Sequence, residues 1–293
     1  MKHYLYGFLV ILTTFLMGSS FSIGKMGLEY ISPLLLAGLR FSIAGILMVL
    51  FIIRKPLPEK LMDWGKIALV GFFQTAGVMG CVFISMRTIS AGEISILTFI
   101  NPLLVVVLGT LLIGYRYRWS QWLGVVIGFA GVFITLGFHV RVNIGTVLGL
   151  ASAISWALAT LIVKKWAKQF NIWVLSACQM MFGGVLLLLM SVTLEKPVLT
   201  LNAMSIFIVL WLAVMASIVQ YSAWFYLLNR GDPGKTSAFL FLAPLFGVLS
   251  GWILLGEVVK WYVYLGGTFI FIGIFFVNWT FPAQKESVNP WLL

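Results

Sequence analysis

Charged side chains are scarce in this sequence. Only 9% of its 293 residues are Asp, Glu, Lys or Arg, whereas 61% are hydrophobic, and the mean hydropathy is +1.08. Soluble globular domains carry roughly 25% charged residues, so that class of protein is excluded. A membrane β-barrel would need a polar residue at every second position of its strands, and these are missing as well. The sequence therefore predicts an all-α integral membrane protein.

Cysteine and histidine are also rare, which limits the chemistry open to the chain. Cys81 and Cys178 lie within apolar runs and are interpreted as buried small residues, not as a disulfide or metal site. His3 and His139 fall at opposite predicted membrane faces. The sequence lacks a His-Glu-x-x-His motif, paired intramembrane aspartates and a nucleophile elbow. We therefore predict no enzyme activity, no metal and no cofactor.

Acidic residues number eight in the whole sequence, and none falls in the middle of a predicted span. Glu93, just inside the fourth span, comes closest, and its position favours capping of that helix over proton transfer. Proton coupling through a buried carboxylate is therefore not supported. Facilitated diffusion and drive by the membrane potential both stay open.

Long apolar runs, by contrast, fill the chain, and each is near the length of about 20 residues that crosses a bilayer as a helix. The ten predicted spans cover 4–23, 31–53, 66–86, 91–113, 119–138, 145–163, 173–194, 205–228, 235–255 and 261–281. The first run follows Lys2 and His3, as in a signal peptide, but it lacks a clear cleavage site, so we interpret it as a retained helix.

One stretch, from Gly92 to Gly131, occurs twice. A shift of 142 positions pairs its residues with later ones of the same type. These pairs are Gly92 and Gly234, Ser95 and Ser237, Phe99 and Phe241, Pro102 and Pro244, Gly109 and Gly251, Gly114 and Gly256, Trp119 and Trp261, Leu123 and Leu265, Gly124 and Gly266, and Gly131 and Gly273. A weaker match at a shift of 139 pairs Lys25 with Lys164 and Gly45 with Gly184. Repeated glycine and proline spacing indicates a repeated backbone shape.

Positive charges predict the orientation of the spans. With the N-terminus in the cytoplasm, 13 Lys and Arg residues fall on the cytoplasmic side and 5 on the other, which favours cytoplasmic termini at both ends. The net charge of +11 then reports membrane topology, and no nucleic-acid partner is expected. Five spans per half make the halves inverted, a pattern typical of secondary transporters. The predicted units are 1–142, 143–284 and a short cytoplasmic tail, 285–293.

Several short motifs, in order, resemble the EamA-type branch of the drug/metabolite transporter superfamily. They are Gly-Ser-Ser-Phe-Ser-Ile-Gly-Lys at 18–25, Leu-Arg-Phe at 39–41, Asn-Pro-Leu at 101–103, Ser-Trp-Ala at 155–157 and Leu-Gly-Glu at 255–257. The resemblance covers nearly the whole chain and implies a five-plus-five inverted plan and the carriage of small metabolites. Two residues depart from the family pattern: Met17 stands in place of Trp, and Tyr115 stands where a repeat mate of Glu257 is expected.

Two prolines are candidate hinges. Pro102 and Pro244 fall within predicted spans, where each lacks an amide hydrogen and frees the carbonyl of Thr98 or Leu240. A free carbonyl in hydrocarbon is tolerated where it lines a wet cavity or finds a partner. Packing alone also explains a proline bend, so both interpretations are open.

Polar and aromatic faces of the predicted helices supply the candidate substrate-binding residues. These are Met17, Ser20, Arg40, Gln74, Ser95, Thr98, Trp156, Gln179, Gln220, Tyr221, Trp224, Ser237 and Phe241. Each has a structural alternative. The glutamines serve as interhelical hydrogen-bonding groups, Tyr221 and Trp224 belong to an aromatic belt, and Ser95 and Ser237 bond the preceding turn. The neighbouring face of the first helix, Thr14, Gly18 and Ser22, is predicted to pack against another helix.

Arg40 is the one basic residue well inside a predicted span, where an unpaired charge costs several kcal/mol. It either holds an anionic group such as a substrate carboxylate or has a permanent partner, for example Glu93 or a carbonyl. Its mate in the second half is Gln179, which needs a partner without carrying the charge.

Together these observations predict a secondary transporter of the cell membrane that exports amino acids or related or toxic compounds by alternating access. A flippase of a lipid-linked intermediate and a metabolite importer are the alternatives. The expected partners are a small-molecule substrate and the lipid bilayer, and the chain is expected to act as a monomer or homodimer.

Overall fold

The computed structural model describes residues 3–115, 117–135, 143–166, 169–230 and 242–278. Within these ranges the chain is helical and has no strand, only an isolated bridge between Ile31 and Leu199. The helices are α1 (His3–Gly27), α2 (Pro33–Ile52), α3 (Leu61–Gly71), α4 (Val78–Ser85), α5 (Ala91–Thr98), α6 (Asn101–Ile113), α7 (Trp119–Thr135), α8 (Ile144–Trp166), α9 (Ile172–Leu194), α10 (Ala203–Ala213), α11 (Gln220–Arg230), α12 (Leu242–Leu255) and α13 (Trp261–Asn278). The predicted all-helical membrane fold is confirmed.

In the described part of the chain, seven helical segments are long and apolar enough to cross a membrane. They are Tyr4–Gly27, Pro33–Ile52, Leu61–Ser85, Ala91–Ile113, Ile144–Trp166, Ile172–Leu194 and Ala203–Trp224. Three shorter apolar helices, Trp119–Ile134, Leu242–Leu255 and Trp261–Val277, lie where the remaining spans are predicted. The plan of ten spans therefore stays a prediction for these three.

The predicted span 91–113 is interrupted. Helix α5 begins with a capping box, in which the Ser90 hydroxyl accepts from the Glu93 amide and the Glu93 carboxylate accepts from the Ser90 amide. The capping role predicted for Glu93 is confirmed. The helix ends at Thr98, and α6 begins at Asn101 with Pro102 in its first turn. The prediction that Pro102 lies mid-helix is wrong, because the helix is already broken before it and the missing amide leaves no bond unmade.

Pro244 is the third residue of the described part of α12, which begins at Leu242. The carbonyl of Leu240, which the sequence predicts to be free, lies outside the described residues. That Pro244 lies mid-helix and frees this carbonyl therefore stays a prediction.

Among the described residues, two π-helical segments interrupt predicted spans at equivalent places. One, Phe72–Gly77, joins α3 to α4, and the other, Val214–Val219, joins α10 to α11. The shift of 142 positions carries one onto the other. In the second, the Gln220 amide bonds the Met215 and Ser217 carbonyls and so bypasses that of Ala216. A π bulge thus leaves a carbonyl in mid-span available to another group, and such bulges are frequent at functional sites.

Glycines let two helix pairs approach closely. In α2 and α9, a Cβ on Gly45 would lie 2.7 Å from the Met181 amide nitrogen, and one on Gly38 would lie 2.9 Å from that of Leu188. Rising numbers on α2 thus meet falling numbers on α9, so the two helices are antiparallel. The core of buried apolar side chains, including Phe41, Leu103 and Met180, spans both halves of the chain.

Helices α7 and α13 are packed in the same way. Gly124 faces Gly273, and Gly131 faces Gly266, where a Cβ on Gly131 would lie 2.6 Å from the Gly266 carbonyl oxygen. The shift of 142 exchanges these two contacts, since it carries Gly124 onto Gly266 and Gly131 onto Gly273. Contact through backbone at small residues is the usual way that helices associate in lipid.

Gly114 and Gly256, another pair at the shift of 142, end α6 and the α12 region with φ of +75° and +62°. Only glycine adopts this left-handed conformation without strain, which explains why the repeat keeps it at both places.

We expect Gly273→Ala to destabilise the protein and Gly267→Ala to leave it nearly unchanged. An alanine Cβ at 273 would lie 2.5 Å from backbone atoms of Gly124 and Gly128, whereas one at 267 would have its nearest neighbour, Ile96 Cδ1, 3.7 Å away. Backbone cannot move aside, and overpacking costs about 1–3 kcal/mol. Thermal unfolding in detergent measures both variants. Equal unfolding temperatures would contradict the close α7–α13 packing.

Candidate functional site

A narrow cavity lies between the two halves of the chain. Its volume is about 50 Å³. Its walls are formed by α1, α2, the α3–α4 segment, the end of α5, α8, and the second π segment with the start of α11. Thioether and aromatic side chains dominate, with a few polar groups among them. This is the composition of small-molecule sites, in which apolar walls supply area and a few polar groups orient the ligand.

Most of the predicted binding residues meet at this cavity. Those that line it are Met17, Ser20, Arg40, Gln74, Thr98, Trp156, Gln220 and Tyr221. They come from segments far apart in the chain, and both halves contribute. The tertiary structure therefore brings together residues that the sequence connects only through helical faces and the repeat.

Three other predicted residues lie elsewhere. The Ser95 hydroxyl donates to the Gly92 carbonyl at 2.7 Å, the local bond that was its structural alternative. Gln179 is buried and accepts a hydrogen bond from Thr75. Trp224 is half-buried and is not among the residues that line the cavity. Ser237 and Phe241 lie outside the described residues.

The apolar wall of the cavity is not among the residues predicted from the sequence. The lining residues that were not selected are Phe21, Phe41, Val78, Met79, Val82, Phe83, Met86, Phe99 and Ala216. Apolar side chains that line a cavity and those that face lipid have the same sequence pattern, so hydrophobicity alone does not separate them. Phe99 had one usable signal, since it directly precedes the helix break before Pro102 and is the repeat mate of the selected Phe241.

Arg40 is held by the second π segment. It is 4% exposed, its Nη2 donates to the Ala216 carbonyl at 2.8 Å, and its Nε donates to the Ser217 hydroxyl at 3.0 Å. Ser217 in turn donates to the Leu212 carbonyl at 3.0 Å. Of the two partners predicted for Arg40, a carbonyl is therefore correct and Glu93 is wrong. Among the described residues Nη1 has no hydrogen-bond partner, so Arg40 keeps donors for a ligand.

Gln179, the repeat mate of Arg40, makes the equivalent contact from the second half to the π segment of the first half. Its side-chain oxygen accepts from Thr75 at 2.6 Å, and Thr75 is the residue of the first π segment that matches Ser217 at the shift of 142. The second helix of each half thus anchors the π segment of the other half. A buried polar group is costly unless it is bonded, so each contact fixes the position of one half against the other.

Trp156 and Phe99 form the aromatic side of the cavity. Their rings meet edge to face with centroids 5.3 Å apart, and the Phe21 ring lies 6.2 Å from that of Phe99. The neighbouring hydroxyls of Thr98 and Ser152 are hydrogen-bonded at 3.0 Å, which joins the end of α5 to α8. The end of α5 is therefore a wall of the cavity.

The neighbouring face of α1, with Gly18 and Ser22, is predicted to pack against another helix, and in the structure that helix is α12. A Cβ on Gly18 would contact the Ala243 carbonyl and lie 2.6 Å from the Gly247 amide nitrogen. The hydroxyls of Ser22 and Ser250 are 2.8 Å apart. Since this face is occupied by α12, the face with Met17 and Ser20 is the one that reaches the cavity.

The cavity carries one formal positive charge and no acidic side chain among the residues that line it. Gln74 and Tyr221 lie within hydrogen-bonding reach of each other, and Tyr221 is close to the Arg40 charge. The arrangement offers hydrogen-bond donors and a cation to a ligand, with aromatic and thioether surface around them.

Several known proteins are similar to this chain over nearly its whole length. The chain is 31% identical to the uncharacterized transporter YvbV of Bacillus subtilis, over 92% of this chain and 90% of that one. It is 28% identical to a probable amino-acid metabolite efflux pump of Salmonella typhimurium, over 96% and 97%. A protein of known crystal structure superposes with a TM-score of 0.67 at 20% identity, covering 92% of this chain and 96% of that one, which shows a shared fold.

The pattern of the EamA-like transporter family matches the chain twice, over residues 5–137 and 143–279. The two matches occupy the two halves that the repeat at 142 positions defines and together take in nearly the whole chain. The chain therefore belongs to the EamA-like transporter family.

Proposed function

We propose that this protein is a secondary transporter that exports amino acids or related or toxic compounds across the cytoplasmic membrane. One observation carries the proposal: a cavity with one guanidinium and two carboxamides lies between the halves, and both halves line it. A site at the interface of two repeats is typical of secondary transporters. Two relatives named as probable amino-acid metabolite efflux pumps support this substrate class.

We further propose that the halves, 1–142 and 143–284, are inverted repeats of five spans. The antiparallel contact of α7 with α13 supports this, because equivalent helices of inverted repeats run in opposite directions. The antiparallel contact of α2 with α9 supports it in the same way. The excess of Lys and Arg on one side favours cytoplasmic termini at both ends.

The chemistry of the cavity suits a compound with an anionic or carbonyl oxygen and a small apolar body. Arg40 has a donor left after it has bonded the π segment, and Gln74 and Gln220 supply amides. Met17, Phe99 and Trp156 supply apolar surface. A compound with an additional positive charge finds no carboxylate among the lining residues, so we expect basic amino acids to be poor substrates.

Transport requires the cavity to widen. Its volume of about 50 Å³ is well below the roughly 300–1,000 Å³ of pockets that bind small molecules. Rocking of one half against the other, at the α5–α6 break and the α12 region, widens it towards one face at a time. Because none of the lining residues has a carboxylate to carry a proton, we expect the substrate gradient or the membrane potential, and not a proton gradient, to drive transport.

The transport assay separates this function from its alternatives. In the first part, an exporter-deficient strain is challenged with amino acids and toxic analogues, with and without this protein. In the second part, transport of labelled solute is measured in vesicles that contain the protein, which we expect to act as a monomer or homodimer. Export of a soluble solute supports the proposal. Net uptake would favour an importer, and movement of a lipid-linked intermediate without any soluble solute would favour a flippase.

Trp156→Ala should lower the rate of solute export by about tenfold, the effect of losing roughly 1.4 kcal/mol of binding. Trp156 supplies cavity surface, so its loss acts on the substrate. Trp211→Ala is the matched control, since Trp211 is also half-buried against the core but does not line the cavity. Both are measured beside thermal unfolding. An equal fall in export for the two variants would contradict the assignment of the cavity.

Ser217→Ala should destabilise the protein by about 1–3 kcal/mol, because it removes the acceptor of the buried Arg40 Nε–H. Ser222→Ala, in the neighbouring helix α11, is half-buried and is not one of the hydrogen-bond partners described for Arg40, so it serves as the control. Thermal unfolding in detergent compares them. If both variants unfold at the same temperature, the π segment does not depend on this bond.

A further inference from the structure

The two ends of the helix bundle can be told apart by their contacts. Gly24, near the end of α1, lies against Phe83 and Met86 at the end of α4. Gly145, at the start of α8, lies beside Ser85 and Thr88. The end of α1 and the start of α8 therefore share one face, which we call the Lys25 face. Lys164, at the other end of α8, marks the opposite face, which we call the Lys164 face.

On the Lys25 face, the Glu257 carboxylate joins three segments. Its Oε1 lies 3.0 Å from Lys25 Nζ on α1 and accepts from the Ala91 amide at 2.7 Å. Its Oε2 accepts from the Gly92 amide at 3.2 Å. Glu257 belongs to the second half, whereas Lys25 and α5 belong to the first. One side chain thus closes this face across the interface of the halves.

Glu257 acts on α5 in particular. Its two acceptor bonds satisfy amides at the N-terminus of α5, where a negative charge is also favoured by the helix dipole. The other end of α5 carries Thr98 and Phe99 of the cavity wall and then the break before Pro102. The carboxylate holds one end of this short helix and the Thr98–Ser152 hydrogen bond holds the other, so release of the carboxylate allows the first end to move.

The Lys164 face has a weaker contact at the equivalent place. Lys164 is the mate of Lys25 and Tyr115 is the mate of Glu257, and the Lys164 ammonium lies 4.6 Å from the centroid of the Tyr115 ring. A cation–π contact of an exposed lysine is worth about 0.5–1 kcal/mol. Tyr115 lacks the carboxylate that would accept from backbone amides, so this described contact on the Lys164 face is weaker than the Glu257 contact on the Lys25 face.

A second carboxylate strengthens the Lys25 face. Glu195, after α9, accepts from the amides of Leu34 and Leu35 at 3.1 Å each and so caps α2 of the other half. The bridge between Ile31 and Leu199 lies beside it. The contacts between halves on this face therefore include two carboxylates that cap helices of the other half.

We propose that Glu257 is a latch that holds the Lys25 face closed through α5 and Lys25, and that Tyr115 is its weaker counterpart on the Lys164 face. This inequality sets the resting equilibrium in favour of closure at the Lys25 face. The latch is reachable by water, because a surface cleft of about 250 Å³ opens beside Ser90, Glu93, Glu257 and Lys260. The proposal rests on the proposed function in that a latch matters only if the two faces open in turn.

The experiment measures the opening of the Lys25 face directly. Spin labels are placed at Thr88→Cys, before α5, and at Val258→Cys, beside Glu257, in the full chain in nanodiscs with Cys81 and Cys178 replaced by alanine. Pulsed electron–electron double resonance then gives the populations of short and long distances between the two labels. We expect Glu257→Gln to raise the ratio of long to short distances about tenfold, as the loss of a charged helix cap and an ion pair implies.

Lysine variants provide the matched control. Lys25→Met, which leaves Glu257 on α5, should raise the ratio about two- to fivefold, in the range of a partly exposed ion pair. Lys260→Met removes a positive charge from the same face without touching the latch and should leave the ratio unchanged. If Glu257→Gln fails to fold, Lys25→Met carries the test. An unchanged ratio in the folded Glu257→Gln or Lys25→Met variant would overturn the latch.

Two further variants separate a helix latch from a simple ion pair and test the inequality. The exchange Lys25→Glu with Glu257→Lys should not restore the closed population, because an ammonium cannot accept from the Ala91 and Gly92 amides. Full restoration would reduce the latch to an ion pair and overturn the role of α5.

Tyr115→Glu gives Lys164 a carboxylate and should raise the long-distance population at the Lys25 face, because closing one face favours opening the other. Tyr115→Gln is its neutral control. No change with Tyr115→Glu would overturn the claimed inequality. The distances are measured without substrate. If no solute is transported in the transport assay, the proposed function is overturned, but the spin-label distances still test whether Glu257 holds the Lys25 face closed.

Discussion

Polar groups within a bilayer must find partners inside the protein, and this constraint shapes every feature of the site. Arg40 bonds a carbonyl that a π segment leaves free, Gln179 bonds Thr75, and the hydroxyls of Ser95 and Thr110 return to their own helices. The first two contacts cross between the halves. The same groups that satisfy the hydrogen-bonding requirement therefore also join one half of the protein to the other.

The arrangement leaves a narrow interface between two rigid sets of helices. Glycine contacts lock α2 to α9 and α7 to α13 by close backbone packing, which does not deform gradually. Between these pairs, α5 is short, broken before Pro102 and held by polar contacts at both ends. Polar contacts exchange partners more readily than packed backbones separate, so movement between the halves is expected at α5 and at the ends of the bundle.

Several of these features can be predicted from the sequence by physical argument. Composition predicts the all-helical membrane class, and the spacing of Gly92, Pro102 and Gly114 predicts the repeat. The capping role of Glu93 follows from its position at the start of a predicted span. Eight of the predicted binding residues line the cavity, and the polar ones among them, such as Arg40, Gln74 and Gln220, were selected because polar side chains in a span face the interior of the bundle. The apolar wall could not be predicted, since Met79 and Phe83 have the same chemistry as residues that face lipid.

Glu257 illustrates the remaining limit. The sequence shows a carboxylate at the start of a short connection, but its partners, Lys25, Ala91 and Gly92, lie more than 160 positions away. The partner of Arg40 depends in the same way on where a π bulge leaves a carbonyl free, and local sequence does not specify that register.

The sequence by itself determined the membrane class, the two repeats and the helical faces that carry polar groups, because these depend on hydrophobicity and periodicity along the chain. Only the tertiary structure decided which faces meet at the cavity, where the helix before Pro102 breaks, and which end of the bundle a carboxylate closes. These depend on distances between segments that are remote in sequence, and no local pattern encodes them.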